Sequence, residues 1–192
     1  MTKPNMTDYF WEGKLIRLRP QRPEDFDLWL NESADSETGR VLEYGIELPK
    51  SENDKKEFAE LCSEFKRVPQ RFDFSIETLA GEHVGIIAIG SVDQKNGTFQ
   101  TVTRIFRQFR GKGYALEAKR IILKYCFEEL RLQKYNNQCI ETNRNVHRHL
   151  KKLGCREEGR IRSNIFTNGK YYDELYFGLT KEEFFDNEKP SK

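Results

Sequence analysis

The 192-residue chain has no apolar run approaching the roughly 18 residues that a membrane-spanning helix needs. Its opening stretch, MTKPNMTDYFWEGK, lacks the apolar core of a secretory leader. A surplus of one charge is also missing: 33 Lys and Arg stand against 31 Asp and Glu. Duplex-DNA binders carry a basic excess, and the same near-neutrality argues against a single-strand binder built on basic and aromatic residues. Cysteine is sparse and scattered, since Cys62, Cys126, Cys139 and Cys155 contain no C-x-x-C pair. Nothing therefore demands a disulfide framework, and no Cys/His set with metal spacing is present. His83 is expected in a solvated turn, and His147 and His149 sit two apart on a short helix. These absences lead to the expectation of a cytoplasmic protein with reduced thiols, no metal, no nucleic acid and no membrane partner.

Aromatic residues make up 12% of the chain, enough apolar surface to offset chain entropy. One domain over residues 1–192 is expected, with its core at about 14–184 and loose ends at 1–13 and 186–192. Residues 14–19 alternate as a strand that Pro20 stops. Pro23-Glu24-Asp25 opens a helix, with Phe26, Leu28, Trp29 and Leu30 as its buried face. Residues 31–51 carry breakers and receive no assignment, and 51–67 read as a helix buried through Phe58, Leu61, Cys62 and Phe65. Strands at 72–79, 84–92 and 98–106 form an antiparallel meander, its second turn made by Asn96-Gly97. An amphipathic helix covers 113–132. A strand at 137–142, a helix at 146–153 ended by Gly154, and strands at 155–165 and 170–179 complete one mixed α+β fold.

The stretch Arg107-Gln108-Phe109-Arg110-Gly111-Lys112-Gly113-Tyr114-Ala115 follows a strand and opens the longest helix. A Gly-rich turn at a helix N-terminus presents unpaired N–H groups and the positive end of the helix dipole. Arg107, Arg110 and Lys112 add formal charge, so a phosphate or pyrophosphate is the expected guest; the plainer alternative is a tight strand-to-helix turn. No G-x-x-x-x-G-K-[ST] is present, and Leu116 stands where G-x-G-x-x-G needs its third glycine.

Gln108-Phe109-Arg110-Gly111-Lys112-Gly113 matches Q/R-x-x-G-x-G/A and resembles the acetyl-coenzyme A signature of the GNAT N-acetyltransferases. Asn143, eleven residues before Gly154, resembles that family's second block. Lys170-Tyr171-Tyr172-Asp173 and the strand after it resemble the closing strand of the RimJ/RimL-type branch. The resemblance runs from about residue 14 to 184 and implies a single, mostly antiparallel, splayed sheet flanked by helices. It also implies acetyl-CoA as cosubstrate and an amine acceptor, in a monomer or homodimer. By the same resemblance, the strand Thr103–Phe106, including Ile105, would pair its free backbone groups with the pantetheine amides. Backbone N–H groups from Gln108 to Ala115 would hold the pyrophosphate, Asn143 the pantetheine arm, and Arg148 or Lys151 the 3′-phosphate. Asn143 also reads as a helix N-cap, and the two roles are compatible.

The resemblance breaks at the proton-handling positions. Family members often carry Tyr seven, or Ser three, residues after that Asn; here these are Leu150 and Val146. A glutamate base used in some members falls at Gln138, and Glu141 faces the other side of the same strand. Catalytic residues are therefore left unassigned. Transfer by positioning alone is one reading, because a thiolate of pKa about 8.5 leaves without strong acid help. An acceptor substantially neutral near pH 7.5, such as an α-amine, would suit it. A coenzyme A-binding protein without turnover is the alternative. Tyr44, Glu77 and Asp173 are polar residues able to join a water relay, though structural roles are the plainer reading. Arg104 is read as binding an acceptor carboxylate or pairing with Glu77.

Overall fold

The computed structural model describes residues 9–46, 48–54, 56–57 and 72–188. Strand β1 (Ile16–Pro20) leads into α1 (Asp25–Ser33) and α2 (Ser36–Leu42). The meander is β2 (Phe72–Thr78), β3 (His83–Asp93) and β4 (Thr98–Ile105). A 3-10 turn (Arg107–Phe109) then precedes α3 (Tyr114–Glu128), β5 (Lys134–Ile140) and α4 (Arg144–Leu153). The chain closes with β6 (Arg156–Thr167), β7 (Lys170–Thr180) and α5 (Lys181–Glu188). The strands form one seven-stranded sheet, ordered β1-β2-β3-β4-β5-β7-β6. The β4–β5 contact is parallel; every other pairing is antiparallel.

That parallel contact consists of two residue pairs, Thr98–Lys134 and Phe99–Tyr135. Beyond Phe99 the strands part and the sheet splays. Phe99 and Tyr135 are fully buried at the fork with ring centroids 5.6 Å apart, and Phe127 of α3 packs on Phe99 at 5.5 Å. The core lies between this sheet face and α3, whose Ala118, Ile122, Leu123, Cys126 and Phe127 are buried against Ile87, Ile89 and Leu18. Each such fully buried large side chain contributes roughly 1.5–3 kcal/mol. Glu117 ties α3 to the start of β1: its carboxylate accepts from the amides of Lys14, Leu15 and Ile16 at 2.8, 2.8 and 3.0 Å.

The opposite face near β1 carries a buried ionic network. Arg19 donates two hydrogen bonds of 2.8 Å to Asp25 and one of 2.6 Å to Glu77. Arg17 also reaches Glu77, and Ser75 donates to Asp25 at 2.7 Å. Burial alone would raise the Asp25 pKa, but bonds from Arg19, Ser75 and the Arg22 amide overcome it and hold it at about 2. His83 is not solvated, contrary to expectation. Its side chain is buried beside Asp25, edge-on to Phe106, and burial holds its pKa below the usual imidazole range.

Several expected boundaries shift. Residues 9–13 are docked, not loose: Trp11 stacks on Phe74 at 5.0 Å and lies 4.7 Å from Tyr125. Residues 186–188 belong to α5, whose Phe184 packs on Phe127. The unassigned segment contains α2, capped by Asp35, whose side chain bonds the Thr38 amide. Of the helix expected at 51–67, positions 52–54 and 56–57 are helical; Phe58, Leu61, Cys62 and Phe65 lie outside the described residues. The long helix ends at Glu128, about a turn early, though Leu132 is still buried. Cys126, Cys139 and Cys155 are free and buried, each pushed up to about 12 by burial.

Two outcomes test this account. Asp25→Ala removes one partner of a buried pair and should destabilise the protein by about 3 kcal/mol in urea denaturation. Glu128→Ala, which breaks an exposed pair with Lys124, should change stability by less than about 0.5 kcal/mol. The second test concerns His149 of α4. Its pKa is lowered to about 4 by burial and by Lys119, Lys152 and Arg120. The unfolded chain gains a proton on this residue below about pH 6.5, whereas the native chain does not until about 4. Stability present above pH 6.5 should therefore fall with acidification, by roughly 2 kcal/mol from this group at pH 5. His149→Gln should flatten that slope.

Candidate active site

The splay leaves a cleft of about 640 Å³ between β4, α2 and the N-terminal ends of α3 and α4. Thr103 and Ile105 of β4 line one wall, Thr38, Val41 and Leu42 of α2 another. The floor is the 109–116 segment, and α4 closes the cleft with Asn143, Asn145, Val146, Arg148, His149 and Lys152.

The turn before α3 is built for close approach. Gly111 and Gly113 have φ of 81° and 89°, a left-handed conformation that side chains other than glycine's rarely adopt. A Cβ added at Gly111 would meet nothing within 4 Å, so open space lies over this backbone. The first amides of α3 have no helical carbonyl to bind; the backbone bonds at its start begin with Leu116 and Glu117 reaching back to Gly113. An anion seated there would meet N–H groups and the positive end of a 15-residue helix.

Most of the predicted site residues converge on this cleft. Ile105, Arg110, Gly111, Lys112, Gly113, Tyr114, Ala115, Asn143 and Arg148 all line it. Three do not. Phe106 is fully buried on the other side, against His83, because side chains alternate along the chain. Gln108 is exposed in the 3-10 turn outside the cleft lining. Arg107 also lies outside it: its amide is bonded to the Glu32 carboxylate at 3.0 Å, and its guanidinium faces Asp35 and Glu37 at 3.6 and 3.4 Å. Arg110 lines the cleft but is likewise neutralised, 3.7 Å from both Glu32 and Asp35. The cleft's remaining cations are Lys112 on the turn and Arg148 and Lys152 on α4. Lys152 takes the place expected for Lys151, which is exposed outside the lining.

Asn143 is the N-cap of α4. Its Oδ1 accepts from the Val146 amide at 3.1 Å, and its Nδ2 donates to the Val41 carbonyl at 3.4 Å, joining α4 to α2 at the mouth of the splay. Val146 lines the cleft, but Leu150 is fully buried in the core, so even a hydroxyl there would face packing. His149 lies beside the cleft in its neutral form. The α2 residues and His149 escaped sequence reasoning. The first had no assigned element, and the second was judged only as a metal ligand.

The remaining polar candidates separate. Glu77 belongs to the arginine network, and Asp173 is bonded by Arg160 and the Ser163 amide at 2.8 and 2.9 Å. Arg104 pairs with Glu43 at 2.8 Å, not with Glu77. Gln138 accepts from Gln100 across the splay at 3.0 Å. Tyr44 alone of the three relay residues lies near the splay, following α2 and facing Glu174.

A family model described as an acetyltransferase (GNAT) domain matches residues 16–156. The SPbeta prophage-derived uncharacterized N-acetyltransferase YokL of Bacillus subtilis (strain 168) is 36% identical over 178 residues, 91% of this chain and 95% of that protein. Among solved structures, a GNAT-family acetyltransferase from Bacillus anthracis superposes with a TM-score of 0.73 at 23% identity, covering 89% of this chain and 98% of that one. The spermidine N-acetyltransferase of Vibrio cholerae, solved in complex with CoA and spermine, gives 0.76 at 20% identity, covering 88% and 98%. The matched model spans well over half of the chain, and the chain belongs to the GNAT acetyltransferase family.

Proposed function

We propose that the protein transfers an acetyl group from acetyl-CoA directly to a primary amine, as an enzyme of the RimJ/RimL-type branch. The observation that carries this reading is the open space over Gly111 at the unpaired head of α3. A pyrophosphate suits that position by charge, since backbone amides and a helix terminus favour an oxyanion. Lys112, Arg148 and Lys152 supply the cations for further phosphate oxygens. Beyond Phe99, the β4 edge facing the splay has no pairing with β5; the Ile105 carbonyl accepts from Arg110 Nε at 2.9 Å, and the polar backbone groups before it face an extended, amide-bearing arm. An amide of that edge is also the donor suited to the oxyanion that forms as the amine adds. The CoA complex recorded for the Vibrio cholerae neighbour supports the same use of the fold.

The turnover-free alternative rests on Val146 and Leu150, which offer no proton donor, and on Gln138, which cannot serve as a base. The chemistry does not require a donor, because the thiolate is a competent leaving group.

The test is calorimetric titration of acetyl-CoA into the wild type and Gly111→Val. No protein atom crowds the new side chain, so the fold should survive with a backbone strain of roughly 1–2 kcal/mol. Affinity should fall at least tenfold. Equal affinity in the folded variant would move the site elsewhere. Thiol release on adding a panel of primary amines then separates transfer from binding alone.

A further inference from the structure

Of the chain's three histidines, His149 lines the cleft. It stands on the cleft face of α4, four residues after Asn145 and three before Lys152, which line the cleft as well. Buried polar atoms are ordinarily hydrogen-bonded, so an unpaired one calls for a cause. Nε2 of His149 is buried and has no hydrogen-bond partner among the described residues. His147 Nε2 is in the same state, but His147 packs edge-on to Phe177, outside the cleft lining. His149 is thus a histidine that the protein does not fix by a bond at Nε2, and it sits where a ligand enters.

The charges that bear most on His149 are positive. Lys119 and Arg120 face it from α3, and Lys152 from its own helix. Burial first, and then these three cations, lower its pKa to about 4, so the ring is neutral in the free protein. Lys119 is itself buried and bonds the neutral Tyr135 hydroxyl at 2.8 Å. Arg120 pairs with Glu188 of α5 at 2.9 Å. The thiols that also feel Lys119, Cys139 and Cys155, stay protonated, pushed up to about 12 by burial. The cleft adds Lys112 and Arg148, and no Asp or Glu is among the described residues that line it. Lys152 acts in two ways at once. It lines the cleft, where its charge suits a phosphate, and it opposes a proton on His149. A phosphate seated on Lys152 cancels one of the charges that keep the ring neutral and brings a negative charge of its own.

We propose that His149 belongs to the coenzyme site and takes a proton from solvent when a coenzyme phosphate enters the cleft beside it. The proposal rests on the coenzyme-binding part of the acetyl-transfer reading and adds a pH control to that site. The imidazole gains one proton and one positive charge, and no bond of the coenzyme is made or broken. An opposite charge within ~4–6 Å favours the charged form of a titrating group by roughly 1–3 in pKa. A ring that titrates at about 4 in the free protein should therefore titrate near or above roughly 6 in the complex. The sign follows from linkage: a group whose pKa rises on binding makes binding tighter as pH falls. The same proton removes the acid sensitivity of the free protein, because the complex accepts what the free ring resists.

The experiment titrates coenzyme A, which carries no acetyl group to transfer, into wild type and His149→Gln. Calorimetry is run at pH 5.5 and 7.5 in buffers of different ionisation enthalpy, which counts protons taken up. At pH 5.5 wild type should take up at least about half a proton more per coenzyme than His149→Gln, and the excess should fade by pH 7.5. From pH 7.5 to 5.5 its affinity should rise at least about threefold relative to the variant's. The coenzyme's phosphate monoester titrates near pH 6 as well, but with both proteins, so the difference belongs to the imidazole. 3′-Dephospho-CoA separates the two phosphate sources. Excess uptake lost with it assigns the terminal phosphate, excess uptake kept assigns the pyrophosphate, and either supports the proposal. NMR of the wild-type His149 ring should show it neutral down to pH 5 in the free protein and protonated at pH 5.5 in the complex. That measurement needs no variant and decides if His149→Gln does not fold. Equal proton uptake by both proteins, or a His149 ring that coenzyme A leaves neutral at pH 5.5, would overturn the proposal while the acetyl-transfer reading stands. Wild-type protein that fails to bind coenzyme A at both pH values removes the acetyl-transfer reading, and this one with it.

Discussion

Two strands that begin to pair and then separate govern this molecule. The β4–β5 contact lasts two residue pairs because Phe99 and Tyr135 wedge into the core at the fork while α3 fills the space beneath. Past the fork, each strand would leave polar backbone groups unpaired in a region flanked by helices. A strand edge of that kind is stable when something takes up its hydrogen bonds. The cleft is thus a consequence of the sheet's topology: the parallel contact needs a crossover, and the crossover is α3. The Gly111–Gly113 turn occurs where the chain leaves β4 to enter that helix, so the strand edge and the anion-binding helix end arise from one connection.

Charge placement around the cleft follows from what α1 and α2 contribute. Glu32 and Asp35 sit beside the 107–110 turn and neutralise its two arginines, while Asp35 also caps α2. Arg107 and Arg110 therefore clamp the turn against the α1–α2 corner and add little net field to the cleft. The positive potential comes from the helix end together with Lys112, Arg148 and Lys152. Asn143 completes the frame by holding α4 and α2 together through one side chain. Glu117 plays the equivalent part at the other end of the sheet, where three amides of the entering chain converge on its carboxylate. These are polar side chains used as fasteners between elements far apart in sequence.

Much of the fold was legible because the signals were local. The meander announced itself by alternation and by Asn96-Gly97, α3 by its apolar stripe, and α4 by its Asn cap and glycine stop. The turn glycines were legible for the same reason, since a left-handed backbone next to a helix start is a property of a few adjacent residues. Helix α2 was not legible: its seven residues include Gly39 and carry no clear apolar stripe, and packing against β5 and the cleft maintains it. The N-terminal stretch read as loose because Trp11 has no local partner; it is ordered by Phe74 and Tyr125, more than sixty residues away in sequence.

The strand order, helices α1, α3 and α4, the anion-ready turn and the cap at Asn143 were legible in the chain, because each depends on neighbours within about one helical turn, whereas α2 and α5 were not. The tertiary structure decided where charge is free and where it is cancelled. Whether Arg107 faces a ligand or Glu32, whether His83 is wet or buried, and whether Leu150 borders the cleft or the core depends on elements brought together across the whole chain. The contrast between Glu77 and Glu174 shows this most directly. Both are glutamates in strands, and nothing adjacent to either distinguishes them. One folds against two arginines, the other among two tyrosines and an asparagine beside the splay. The energy of a buried charge is set by its three-dimensional surroundings, which strand alternation alone does not specify.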